Sequence, residues 1–116
     1  MSEQDCLFCK IAAGEIKAGV VYEDERALAF RDINPQAPVH VLVIPREHVA
    51  SLNDATPQRD ELFGHLMRVA AQVAAAEGLA ESGYRTVANT GAGAGQSVFH
   101  LHLHVIGGRR LTWPPG

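Results

Sequence analysis

The segment QSVFHLHLHV, residues 96–105, sets His100, His102 and His104 at every second position, alternating with Phe99, Leu101, Leu103 and Val105. A period of two is the signature of a β-strand, in which successive side chains point to opposite faces. The pattern predicts a strand with one apolar face turned to a core and a row of imidazoles on the other. Same-face neighbours on a strand lie about 6.8 Å apart. Two imidazolium charges at that distance repel by about 2.4 kcal/mol at an effective dielectric of about 20. With an ordinary histidine pKa of about 6.5, the row holds at most one proton near neutrality unless an anion joins it. Imidazoles that accept charge when an anion arrives suit a phosphate-handling site.

Three roles compete for such a row. It could be the solvated side of a strand that happens to use histidine. It could hold a metal, because histidines at i and i+2 can share one zinc. All three on a straight strand reach a single ion awkwardly, however, and no carboxylate cluster stands nearby in sequence. The third role is nucleophilic catalysis, one imidazole attacking while its neighbours bind or shuttle protons, and it accounts best for the repetition.

Ordinary patterns surround the row. Residues 5–13, DCLFCKIAA, predict a short helix capped by Asp5 and ended by Gly14. GVVYED (19–24) and ALAFRD (27–32) predict two strands joined at a charged turn around Glu25 and Arg26, and INPQAP (33–38) a proline-limited turn. HVLVIP (40–45) predicts a strand buried on both sides. The long helix opens at Thr56 as cap with Pro57 in its first position; Leu62, Leu66, Val69 and Val73 form one apolar stripe, and Gly78 ends it. His65 flanks that stripe. YRTVAN (84–89) returns to strand character. Strands and helices do not alternate regularly, which predicts one α+β domain over residues 1–116 with a mainly antiparallel sheet of about five strands, one long helix and one short.

The loop TGAGAGQS, residues 90–97, is neither a P-loop, since it lacks the lysine and precedes a strand, nor a dinucleotide fingerprint. Placed directly before the histidine row, its backbone N–H groups and the Ser97 hydroxyl form a candidate phosphate cradle. A net charge of −3 with scattered basic residues argues against nucleic acid as a partner but not against a single nucleotide. No apolar run approaches the roughly 20 residues of a membrane span, and the polar opening MSEQD predicts no signal peptide. Cys6 and Cys9 are too close to staple a domain, so a reducing cytoplasm fits best. No Ser-His-Asp motif or hydrolase-spaced carboxylate pair stands out.

HLHLHV resembles the His-x-His-x-His-x-x signature of the histidine triad (HIT) superfamily. CLFCKIAAGEI, VYEDERALAFRDINPQAPVHVLVIPREH, GQSVFHLHLHVIGGR and the terminal WPPG are similar to its HINT branch, the nucleoside phosphoramidases, over nearly the whole chain. The resemblance implies hydrolysis of the P–N bond of purine nucleoside 5′-phosphoramidates. His102 would be the nucleophile, supported by His100 and His40. His104, Asn89, Gly95, Gln96 and Ser97 would hold the α-phosphate. Asp32 would bind the ribose with Ile33 beside it, although Asp32 before a turn could instead simply bond its own backbone. Leu7, Phe8, Ile11, Phe30 and Leu42 would line a base slot, and a purely apolar slot implies mixed purine specificity. Many HINT proteins are homodimers with sheets joined across the interface, which implies a dimer with the Trp113 tail near the partner's site. No cofactor is implied for catalysis. Cys6-Leu-Phe-Cys9 alone is half a zinc site or simply two buried thiols; some bacterial relatives place a structural zinc at positions matching Cys6, Cys9, His48 and His100. The competing functions are a purine-nucleotide-binding regulator with vestigial turnover, a dinucleoside polyphosphate hydrolase and a zinc-stabilised dimer scaffold.

Overall fold

The β-branched runs become strands of one sheet. The computed structural model describes residues 5–116 and contains β1 (Val20–Glu23), β2 (Ala27–Arg31), β3 (Val39–Pro45), β4 (Tyr84–Val87) and β5 (Leu103–Gly107). They pair antiparallel throughout in the order β1-β2-β3-β5-β4. Two α-helices accompany them, α1 (Leu7–Ala12) and α2 (Asp60–Ala76). This is the expected α+β architecture. β3 is central, which is why its run reads as continuously apolar: residues 40–45 are all buried.

The two faces of the sheet bury different things. On one, Ala27, Ala29, Val41, Val43, Leu103 and Val105 pack against the Leu62, Leu66, Val69 and Val73 stripe of α2. The two alanines of β2 keep that face shallow where the helix crosses it. On the other, Leu28, Phe30, Leu42 and Ile44 pack with Cys6 and Phe8. α1 is short and covers only part of this second face, so the remainder stays open to a ligand. Register places Leu42 opposite His104 and His40 opposite Ile106, which sets His40 and His104 on a cross-strand diagonal of the open face.

Three local expectations change. The cap of α1 is Cys6, not Asp5: its Sγ accepts the Cys9 N–H at 3.3 Å. Thr56 precedes a 3₁₀ turn, Pro57–Arg59, and its hydroxyl caps nothing; α2 begins at Asp60, with Asp60 and Glu61 facing the positive end of the helix dipole. The histidine strand is shorter than its pattern. β5 starts at Leu103, so only His104 of the three lies within it. The chain before it is extended but leaves the ladder, because Leu101 N–H turns to Val49 O and two histidine side chains take up backbone carbonyls. The alternation survives this: Leu101, Leu103 and Val105 all enter the α2 core, while Phe99 is half-buried outside it. Among the described residues no helix is long and apolar enough to cross a membrane.

Candidate active site

Hydrogen bonds assign a tautomer to each histidine of the row. His102 Nδ1 lies 2.8 Å from the carbonyl oxygen of His100, which can only accept, so Nδ1 carries the proton and Nε2 keeps a free lone pair. Burial is the first cause holding its pKa below the usual value, with the His100 carbonyl and Asp32 pulling the other way. The ring therefore stays neutral and nucleophilic at pH 7. Phe8 on α1 meets it edge-on, with ring centroids 5.1 Å apart, and limits its rotation.

His104 is oriented by a chain that begins in the backbone. Gln36 N–H donates to His40 Nδ1 at 3.0 Å, which leaves the His40 proton on Nε2. That N–H lies 2.8 Å from His104 Nδ1 and 3.4 Å from Asp32 Oδ2, and the shorter contact is the hydrogen bond. His104 Nδ1 is thus an acceptor and its proton sits on Nε2. This Nε2–H is buried and has no partner among the described residues. An unpaired buried donor costs about 1–3 kcal/mol, and such groups recur where a ligand atom completes the bond. Burial first, then the neighbouring His102 and His40, push the His104 pKa down to about 4. The donor is neutral and preset.

Both rings line a cavity of about 390 Å³ between α1, β2 and the loop before β5. Of the residues proposed from sequence for the nucleotide, Leu7, Phe8, Ile11, Phe30, Leu42, Asp32, Ile33 and Ser97 line it together. Ile33 stands fully exposed at its mouth. Asp32 serves both readings: Oδ1 accepts the Asn34 N–H at 2.8 Å and shapes the turn, while Oδ2 faces His40. The remaining three lie elsewhere. Asn89 lines a separate cleft of about 210 Å³ with Gln36, His40 and His104, which borders both spaces. Gln96 is buried and braces the loop, its Oε1 accepting Gly91 N–H and its Nε2 donating to the carbonyls of Ala50 and Val98. The N–H groups of Gly95 and Gln96 turn inward to Ala92 O and Gly91 O, and Gly95 adopts φ +92°, a conformation that favours glycine. Their visible work is to position Ser97. Ile16, Lys17, Ala18, Arg31 and Val98 also line the cavity, and no motif singled them out.

His100 faces away from the cavity. It is fully buried, with Nε2–H donating to Pro45 O at 2.8 Å, so its Nδ1 carries the lone pair and can accept or ligate. That nitrogen lies 3.2 Å from Cys6 Sγ, 3.4 Å from Cys9 Sγ and 3.3 Å from His48 Nδ1, and Cys9 Sγ lies 3.3 Å from His48 Nδ1. Four donors around a zinc with bonds of ~2.0–2.3 Å sit about 3.3–3.8 Å apart, so the residues fit that ion. A carbonyl holding the far nitrogen is also the usual support of a metal-binding histidine. Burial and then neighbouring His48 and His102 hold the His100 pKa down to about 4, against the pull of the Pro45 carbonyl. His65 lies outside both clusters and pairs with Asp24 at 2.7 Å, tying α2 to the β1–β2 turn.

Comparison with known proteins agrees with this geometry. An uncharacterized HIT-like protein of Synechococcus elongatus is 57% identical over 116 residues, covering all of both chains. The crystal structure of a HIT family hydrolase from Legionella pneumophila superposes with a TM-score of 0.95 at 56% identity, over 97% of this chain and 100% of that one. A histidine triad nucleotide-binding protein from Candida albicans superposes with a TM-score of 0.80 at 34% identity, over 87% and 73% of the two chains. Residues 13–111 match the HIT domain family, and the chain, with its triad at His100, His102 and His104, belongs to that family.

Proposed function

We propose that the protein is a purine nucleoside phosphoramidase of the HINT type. The observation that carries this reading is the pairing of a bare His102 Nε2 with the unpartnered His104 Nε2–H on the wall of one cavity. The lone pair of His102 attacks the α-phosphorus, and the P–N bond breaks as its electron pair leaves with the amine, which gains a proton. Water then cleaves the nucleotidyl-histidine, restoring the imidazole and releasing the nucleoside monophosphate. His104 donates to a non-bridging oxygen as charge develops there, and being preset it needs no reorganisation. Asp32 binds the ribose hydroxyls, and the slot between Phe8, Phe30 and Leu42 takes the base. Asn89 acts from the neighbouring cleft, which His104 also lines.

Cys6, Cys9, His48 and His100 would hold a structural zinc, which would bind α1 to the sheet and take no part in the chemistry. The protein acts in a reducing cytoplasm as a homodimer, through the open edge of β4, with the exposed Trp113 reaching toward the partner. The similarity to a HIT family hydrolase and to a histidine triad nucleotide-binding protein supports the hydrolytic and nucleotide-binding parts of this reading.

The test is steady-state amine release from a fluorogenic adenosine 5′-phosphoramidate by wild type and His102→Ala, with AMP binding measured on both. Turnover that disappears in a folded variant still able to bind AMP is the expected result. AMP binding without turnover in wild type would overturn the enzyme and leave a nucleotide-binding protein. Faster release of nucleotide from diadenosine polyphosphates would move the assignment to the neighbouring reaction.

A further inference from the structure

We infer that Lys17 makes this nucleotide pocket selective for 6-oxopurines over adenine. The inference rests on the nucleotide reading of the cavity given above. At the base end, the slot is closed by Phe8, Ile11, Phe30 and Leu42, none of which can hydrogen-bond a base through its side chain. The polar side chains lining the cavity have other commitments or other places. Arg31 forms a two-pronged pair with Glu77 at 2.7 and 3.1 Å. Asp32 shapes its turn and faces His40, while Ser97, His102 and His104 stand at the phosphate end. Lys17 alone is left. It lines the cavity, is exposed, and makes no hydrogen bond or ion pair with any described residue.

The segment carrying Lys17 is fixed at both sides. Glu15 N–H donates to Lys10 O at 2.9 Å, and Gly19 O accepts Arg31 N–H at 3.0 Å, while Ala18 packs on the Phe8 and Phe30 cluster. The lysine backbone is therefore held at the rim of the slot, and only its flexible stem has freedom. An ammonium has three donors and no acceptor. Guanine offers two adjacent acceptors, O6 and N7, whereas adenine sets an amino donor beside its N7. A donor-only cation at the rim gains two acceptors from guanine and meets a like-polarity group on adenine. Hypoxanthine keeps O6 and N7 but lacks the 2-amino group, so it reports on this edge alone.

The test is equilibrium binding of AMP, GMP and IMP by calorimetry to wild type, Lys17→Met and Lys10→Met. Lys10 lies on α1 but does not line the cavity, and its loss controls for net charge. In wild type, GMP and IMP should each bind about three- to tenfold more tightly than AMP, the range expected of one added hydrogen bond. Lys17→Met should bring the three affinities together by weakening GMP and IMP, and Lys10→Met should leave the preference intact. Equal affinities in wild type, or a preference that survives Lys17→Met, would overturn the inference while leaving nucleotide binding in place. Failure of all three nucleotides to bind wild type would bring down the reading of the cavity as well.

Discussion

Replacing His40 by leucine isolates the chain of hydrogen bonds that gives His104 its proton. The His40 side chain is 5% exposed, so leucine fills a buried site of similar size and the fold should persist. Two bonds are lost: the acceptor for Gln36 N–H and the donor to His104 Nδ1. Gln36 is exposed and water can replace its partner, so the stability cost is small, about 1 kcal/mol. Catalysis suffers more. Without His40, the His104 ring is free to turn and to place its proton on either nitrogen, and one tautomer aims a lone pair at the phosphate. The loss lies between that of one neutral hydrogen bond, about 0.5–1.5 kcal/mol, and that of a whole preset oxyanion donor, about 2.7–4 kcal/mol. We expect kcat/KM for the fluorogenic phosphoramidate to fall by about 10- to 100-fold, or about 1.4–2.7 kcal/mol. If His40 acts only through His104, adding His40→Leu to His104→Ala should cost almost nothing further. Full activity in folded His40→Leu, or penalties that simply add in the double variant, would refute the relay.

Three further outcomes follow from the geometry. Because burial, against the opposing pull of Asp32, holds the His102 pKa below the usual histidine value, the acid limb of kcat/KM should lie below about pH 6.5. Asp32→Asn removes the charge that raises this pKa and should shift the limb further to acid; a limb at neutral pH in wild type contradicts the assignment. Protein purified without added metal should carry about one zinc per chain, and Cys6→Ser should lower both zinc content and Tm, since Cys6 also caps α1; a Tm indifferent to chelation would count against the zinc. Asp24 pays a desolvation cost, yet hydrogen bonds from Tyr22, the Arg26 and Ala27 N–H groups and His65 together hold its pKa well below the usual carboxylate value. A depressed carboxylate stabilises the fold above its unfolded pKa and loses that contribution as pH falls through the folded one. Asp24→Asn should therefore cost about 1 kcal/mol at pH 7, with the gap to wild type closing below about pH 4 in acid unfolding.

Local chemistry accounts for most of what could be read in advance. Strand against helix was visible in the periods of β3, α2 and the histidine segment, because side-chain periodicity reports directly which face is buried. The cavity residues from Leu7 to Ser97 came through the likeness of whole motifs to a family, since on pattern alone Phe8, Phe30 and Leu42 are indistinguishable from core. The separation of the triad is not visible in the spacing; it came through the family resemblance, which sets His100 apart with Cys6, Cys9 and His48. Three histidines two apart look equivalent by pattern, but one joins Cys6, Cys9 and His48 in a partly buried cluster while the other two line the cavity. Carbonyl oxygens at Pro45 and His100 and an N–H at Gln36 make that division, and every residue carries such groups, so they leave no mark in the sequence. The phosphate role of Gln96 is implied by the resemblance alone, while in the fold its side-chain amide braces the glycine loop. Lys17 was ordinary in sequence, an isolated charge between two small elements, until the packing of α1 against β2 brought it to the rim of the cavity. Residue type set which chemistries this chain could perform. Which nitrogen holds a proton, which lone pair is free and which charge lacks a partner depend on groups brought together from distant parts of the chain, and only the folded arrangement decides them.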